Sequence, residues 1–309
     1  MKQGSRRAII AALLANLGIA VAKFVAFLFT GAASMLAETV HSLADTGNQA
    51  LLLLGSRRAR RLATPEHPFG YGRERYFWAF VVALVLFTLG SLFAIGEGIQ
   101  KLREPHALDS PQWALGVLAV AVVLEAFSLR TAIREARCVK GSESWWSFVR
   151  HSKSPELPVV LLEDVGALLG LAFAVLGGGL AMALGEPRYD ALGSVAIGIL
   201  LGVIAVVLAI EMKSLLIGEG AAPLEAAAIR EAFETSPGIL RVIHLRTLHL
   251  GPEELLVAAK VEIDPEQSAP AIAATIDGAE RQVRARVPSA RVIYVEPDVF
   301  RDGKERGSS

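Results

Sequence analysis

The chain has 309 residues, 53% of them hydrophobic, with 31 basic residues balanced by 31 acidic ones. The neutral balance argues against a nucleic-acid partner, whose phosphates call for a basic face, and the apolar fraction is too high for an ordinary soluble domain. The single cysteine, Cys138, excludes an intrachain disulfide and a thiolate metal cluster, and with them thiol-based copper(I) chemistry.

About 20 consecutive apolar residues can span a bilayer. Six stretches approach this length: 8–30, 33–55, 77–99, 112–134, 157–184 and 189–213. The first follows a basic start, MKQGSRR, but runs past Phe29 and carries Lys23, so it reads as a membrane helix rather than a cleavable signal. Lys23 itself reads as a structural residue that snorkels or pairs with an acid.

The second stretch is interrupted by Glu38, His41, Asp45 and Asn48, spaced by 3, 4 and 3 residues. At about 100° per residue they form one stripe on a helix, which must face protein or water rather than lipid. His41 and Asp45, one turn apart, can grip a single divalent cation. A buried polar cluster that only ties helices together is the plainer alternative. In the fourth stretch, Glu125 reads either as a proton-relay group or as a salt-bridge partner of Arg130 or Arg134.

The fifth stretch, LPVVLLEDVGALLGLAFAVLGGG, carries Glu163 and Asp164 side by side, pointing about 100° apart. Asp164 is expected as a metal ligand. Glu163, on the face of Gly166 and Gly170, is expected as a second ligand, a proton relay or a hold on a neighbouring helix. Imidazole with carboxylate oxygens suits zinc, and the same donors accept manganese, iron(II) or cobalt. Asp190 is expected to cap the sixth helix.

Basic residues cluster at the N-terminus, after the second stretch (Arg57, Arg58, Arg60, Arg61) and after the fourth (Arg130 to Lys153). Six spans with both termini in the cytoplasm satisfy the preference of such clusters for that side. The apolar bunching stops near residue 220. The remainder predicts helix, strand, strand, helix, strand, over 223–236, 242–250, 255–263, 271–287 and 291–296. That order has a ferredoxin-like character. The expected fold is thus an α-helical membrane protein with six transmembrane helices over 1–215, followed by a small cytoplasmic α+β domain (αββαβ) over 216–309.

Six spans, HSLADTGNQ in span two, paired acids in span five, DALGS from Asp190 to Ser194 and an αββαβ tail together resemble the cation diffusion facilitators. The match covers nearly the whole chain. FGYGRERYFWAF (Phe69 to Phe80) and LEDVGALLG (Leu162 to Gly170) resemble most the branch that holds the mitochondrial zinc transporter of animals and its bacterial relatives. The resemblance implies export of a divalent cation, most often zinc, in exchange for protons, by a homodimer working through alternating access. It also implies a membrane site of two residues from span two and two from span five. His41 and Asp45 match the first pair and Asp164 one member of the second. The other member would lie four residues earlier, where Val160 cannot bind metal. Glu163 or water would then complete the shell. Further sites known in some relatives are not expected here. Thr64 and Tyr71 flank His67 in the loop after span two, and the tail has His244 and His249 but Lys260, Tyr294 and Glu296 where further ligands would be expected.

The leading expectation is a proton-coupled exporter in the inner membrane of a bacterium, binding its cation transiently at His41, Asp45, Asp164 and Glu163, with no resident cofactor. The rival is a non-transporting membrane scaffold or dimer partner of a transporter. An enzyme is not expected: there is no HExxH pattern, and no serine or cysteine nucleophile is evidently paired with a base.

Overall fold

The computed structural model describes residues 3–30, 33–104 and 111–299. The chain divides into two compact units, one of residues 1–61 with 73–213, the other of residues 62–72 with 214–309.

All the regular structure among the first unit's described residues is helical. Its elements are α1 (Gln3–Thr30), α2 (Ala33–Arg58), α3 (Glu74–Val85) running through a π-helical segment (Leu86–Leu92) into α4 (Phe93–Arg103), α5 (Pro111–Lys140), the short α6 (Trp145–His151), α7 (Glu156–Leu184) and α8 (Arg188–Ile217), whose last turn passes into the second unit. Helix α1 packs on α2 and α5, α5 on α7, and α2 on α3. The run Glu74–Arg103, α7 and α8 are long and apolar enough to cross a membrane, and Ile9–Val25 within α1 is apolar over a shorter stretch. Helix α2 carries the polar stripe in its middle, and α5 ends in basic residues.

Small residues set the close packing. A side chain at Gly98 would meet the backbone of Ala191 and Val195, and one at Gly198 would meet Ile95 and Ser91, so α8 lies against α4 and the π-helical segment at a distance only glycine allows. Gly166 and Gly170 of α7 face Ile204 and Ile197 of α8. Asp190 does not cap α8. It lies in the first turn, and Lys101 of α4 pairs with it at 3.3 Å and with Glu97 at 3.1 Å. A buried ion pair joins the starts of α3 and α7: Arg75 donates through Nε to Glu156 Oε1 and through Nη2 to Oε2 at 2.8 Å.

The second unit holds α9 (Pro223–Glu234), β1 (Ile239–Gly251), β2 (Glu254–Ile263), α10 (Ala269–Arg286) and β3 (Ala290–Asp298). The sheet order is β1-β2-β3, with β1 and β2 antiparallel and β2 and β3 parallel. The αββαβ order follows the sequence closely, because β2 alternates strictly. Leu255, Val257, Ala259, Val261 and Ile263 point into the core, where Ile229 and Phe233 of α9 and Val283 of α10 meet them. Proline at the start of α9 needs no N–H donor there, which suits that position. Residues 62–72 fold with this unit: the His67 ring stacks on Tyr71 at 4.5 Å, and Thr64 Oγ1 lies 3.3 Å from the Tyr71 hydroxyl.

On the sheet face, Lys260 donates to Glu296 at 2.9 Å and pairs with Asp298 at 2.8 Å. The hydrogen bonds to Asp298 and Glu296 hold its amine above the ordinary lysine value. His249 is buried in β1.

Candidate metal centre

The interior of the helical unit is polar where α2, α5 and α7 approach one another. Asp164 of α7 is buried, and its Oδ2 accepts a hydrogen bond from Ser128 of α5 at 2.9 Å. Glu163, its neighbour, turns to α2: Asn48 Nδ2 donates to its Oε1 at 3.0 Å and Gln49 Nε2 to its Oε2 at 2.9 Å. The network continues into α1, where Asn16 Nδ2 donates to Gln49 Oε1 at 3.3 Å. Three helices are thus laced by side-chain amides and one carboxylate in an interior that offers little competing water.

Asp45, half-buried on α2, Glu125 of α5, Glu163 and Asp164 act on one another as charges, Glu163 being in Coulombic reach of the other three. Glu125 faces Asp164, Asp45 and Lys23, not Arg130 or Arg134 as the sequence left open. The reason is helical phase. Ala121, Glu125, Ser128, Ala132 and Ala136 form the buried stripe of α5, and Arg130 and Arg134 fall outside it. His41 lies within α2, one turn before Asp45, and its side chain and that of Glu38 lie outside the described residues. Among the described residues no three His, Cys, Asp or Glu side chains close on a common point to hold an ion. Val160, one turn before Asp164, is fully buried and brings no donor.

The tertiary structure adds Ser128, Gln49 and Asn16 to the residues the sequence singled out. The signal for each was present but weak: a polar side chain inside a predicted apolar span, which in a membrane interior needs a partner.

What such a centre can do follows from its donors. Carboxylate oxygens on separate helices, fixed by hydroxyl and amide donors, can bind a divalent cation, and relative movement of the helices would change the donor set and the affinity.

A family model described as the cation efflux transmembrane domain matches residues 9–217. The chain is 34% identical over 245 residues to "Proton-coupled zinc antiporter SLC30A9, mitochondrial" of Mus musculus, covering 78% of this chain and 43% of that protein. It is 28% identical over 264 residues to "Metal tolerance protein C4" of Arabidopsis thaliana, covering 85% of this chain and 58% of that protein. It is 27% identical over 294 residues to "Cation-efflux pump FieF" of Salmonella arizonae, covering 93% and 90%. The chain therefore spans less than half the length of its animal relative. A solved structure, "MamM-CTD 215-293", is similar over 25% of this chain and 96% of its own, at 22% identity and a TM-score of 0.24. The family model takes in every helix of the buried acidic cluster, and the chain belongs to the cation diffusion facilitator family.

Proposed function

We propose that the protein exports a divalent cation, zinc first, from the cytoplasm in exchange for protons. The observation that carries this reading is the approach of α2, α5 and α7 around buried carboxylates, with Asp164 held by Ser128 and Glu163 by Asn48 and Gln49. His41, Asp45 and Asp164 hold the ion, and Glu163 stands beside them as ligand or relay. The ion displaces protons from these groups on the cytoplasmic side, since metal binding requires deprotonated donors. The helices then rock to face the other side, where protons re-enter and expel the metal.

The accompanying architecture is six spans, with both termini in the cytoplasm. Residues 1–215 form the membrane domain and 216–309 a cytoplasmic module through which two copies pair, in a bacterial inner membrane. Support comes from the basic clusters after spans two and four. Zinc as cargo is supported by the imidazole-carboxylate donor set and by the likeness to an animal proton-coupled zinc antiporter. Manganese, iron(II) and cobalt suit the same donors.

A second reading, a membrane scaffold that does not transport, draws on Val160 and on the engagement of Glu163 by two amides. Proteoliposomes separate the two. With an imposed proton gradient, the exporter moves Zn²⁺ and returns protons, and Asp45→Ala abolishes both without loss of the folded protein. Absence of flux for Zn²⁺, Mn²⁺, Fe²⁺, Co²⁺ and Cd²⁺ in folded protein would leave the scaffold.

A further inference from the structure

We infer that Glu125 is a ligand of the transported cation, supplying from α5 the donor that Val160 cannot supply from α7. The inference rests on the exporter reading above and goes beyond it in recruiting a third helix to the site.

Four observations carry it. First, Glu125 is 6% exposed, and among the described residues its carboxylate has only Coulombic neighbours: the like charges of Asp164 and Asp45, and Lys23. Two like charges against one lysine leave the carboxylate with an excess of negative neighbours, which a further cation would offset. Glu125, Asp45 and Asp164 do not close on a common point in this structure; a shift of the helices that drew them around a divalent cation would turn the mutual repulsion of three acids into a reason for binding.

Second, α5 is oriented for the task. Glu125 and Ser128 are three residues apart on one helix face, and Ser128 already touches Asp164 at 2.9 Å. The face that carries Glu125 is therefore the one that α5 turns to the α7 acid.

Third, Glu163 is engaged elsewhere. Both of its oxygens accept from side-chain amides of α2, so using it as a ligand would strip hydrogen bonds from Asn48 and Gln49. Using Glu125 breaks none. Fourth, Asn48 is 2% exposed and its Oδ1 is buried without a hydrogen-bond partner, on the other lobe of the amide whose nitrogen holds Glu163. A vacant oxygen acceptor beside the acids fits a centre that receives a cation.

The test uses the full-length protein in detergent, with Zn²⁺ affinity by titration and the visible absorption of bound Co²⁺ as a report of its ligand set. Parent, Asp164→Ala, Glu125→Gln, Glu125→Asp and the double variant Glu125→Gln/Val160→Asp are compared. Asp164→Ala should lose binding. Glu125→Gln should weaken Zn²⁺ about tenfold or more and change the Co²⁺ spectrum, which a merely structural residue would leave as in the parent. Val160→Asp should restore part of the affinity in the Glu125→Gln background, because it returns a carboxylate to the vacant helical position.

If Asp164→Ala is deficient while Glu125→Gln binds within about twofold of the parent with an unchanged spectrum, this inference falls and the exporter reading stands. If Asp164→Ala binds as the parent does, the exporter site itself is misplaced. Should Glu125→Gln fail to fold by size exclusion, Glu125→Asp decides. It keeps the charge and shortens the reach by one methylene, and a parental Co²⁺ spectrum there overturns the proposal.

Discussion

The two units of this chain solve burial in opposite ways. In the second unit, the core is Leu255, Val257, Val261, Phe233 and their neighbours, while charges pair at the surface, as Arg241 does with Glu262 at 2.9 Å and Lys260 with Glu296. In the helical unit, Val123 is 68% exposed, Leu14 61% and Val203 58%, while Asn16, Asn48, Gln49, Glu125, Glu156 and Asp164 are buried. An apolar exterior suits lipid, so the polar groups have nowhere to go but inward, where they must satisfy one another or a passing ion. The same residue types therefore mean different things in the two units. Acids in the tail pair at the surface, and buried acids in the helices must find a partner or a cation.

That contrast can be broken at graded strength. The largest effect is expected at Asp164: Asp164→Ala should reduce Zn²⁺-driven proton flux in proteoliposomes to background while the protein elutes as the parent does. Next is the buried pair. Arg75→Ala strands Glu156 in the interior and should cost about 3–5 kcal/mol, read as a lowered melting temperature in detergent, whereas replacing both residues by apolar ones of similar volume should recover much of the loss. In the tail, Leu255→Ala opens a cavity in the sheet core and should cost about 2–5 kcal/mol, seen as earlier unfolding of the second unit on thermal proteolysis, with the helical unit still resistant. The smallest effect is expected at Lys260→Ala. It removes surface pairs with Glu296 and Asp298 that solvent screens, and should leave the melt where it was. A large loss there would erase the distinction between the two units.

Much of this was legible in the residues, and the successes share a cause. The αββαβ order could be read because β2 alternates without exception and each strand ends at a turn former, so local pattern and tertiary burial agree. That Asp164 needs a partner could also be read, because an ionisable residue inside a long apolar run has few structural excuses, and the structure gives it Ser128. The failures share a cause too. Asp190 reads as a cap from its place near a helix start, yet it sits in the first turn paired with Lys101, a residue 89 positions away that no local pattern names. Glu125 reads either as a relay group or as a partner for nearby arginines, and helical phase separates it from the arginines and turns it toward Asp164.

Sequence alone determined which segments are helical and apolar, which residues are dangerous to bury and that the tail is a separate sheet unit, because periodicity and composition act over a few residues at a time. Only the tertiary structure decided which buried polar groups meet. It gave Glu163 to Asn48 and Gln49, Asp164 to Ser128, and left Glu125 facing like charges. Those outcomes depend on the rotation of each helix about its own axis against its neighbours. Rotation is set by packing between segments far apart in the chain, and no single helix carries the information.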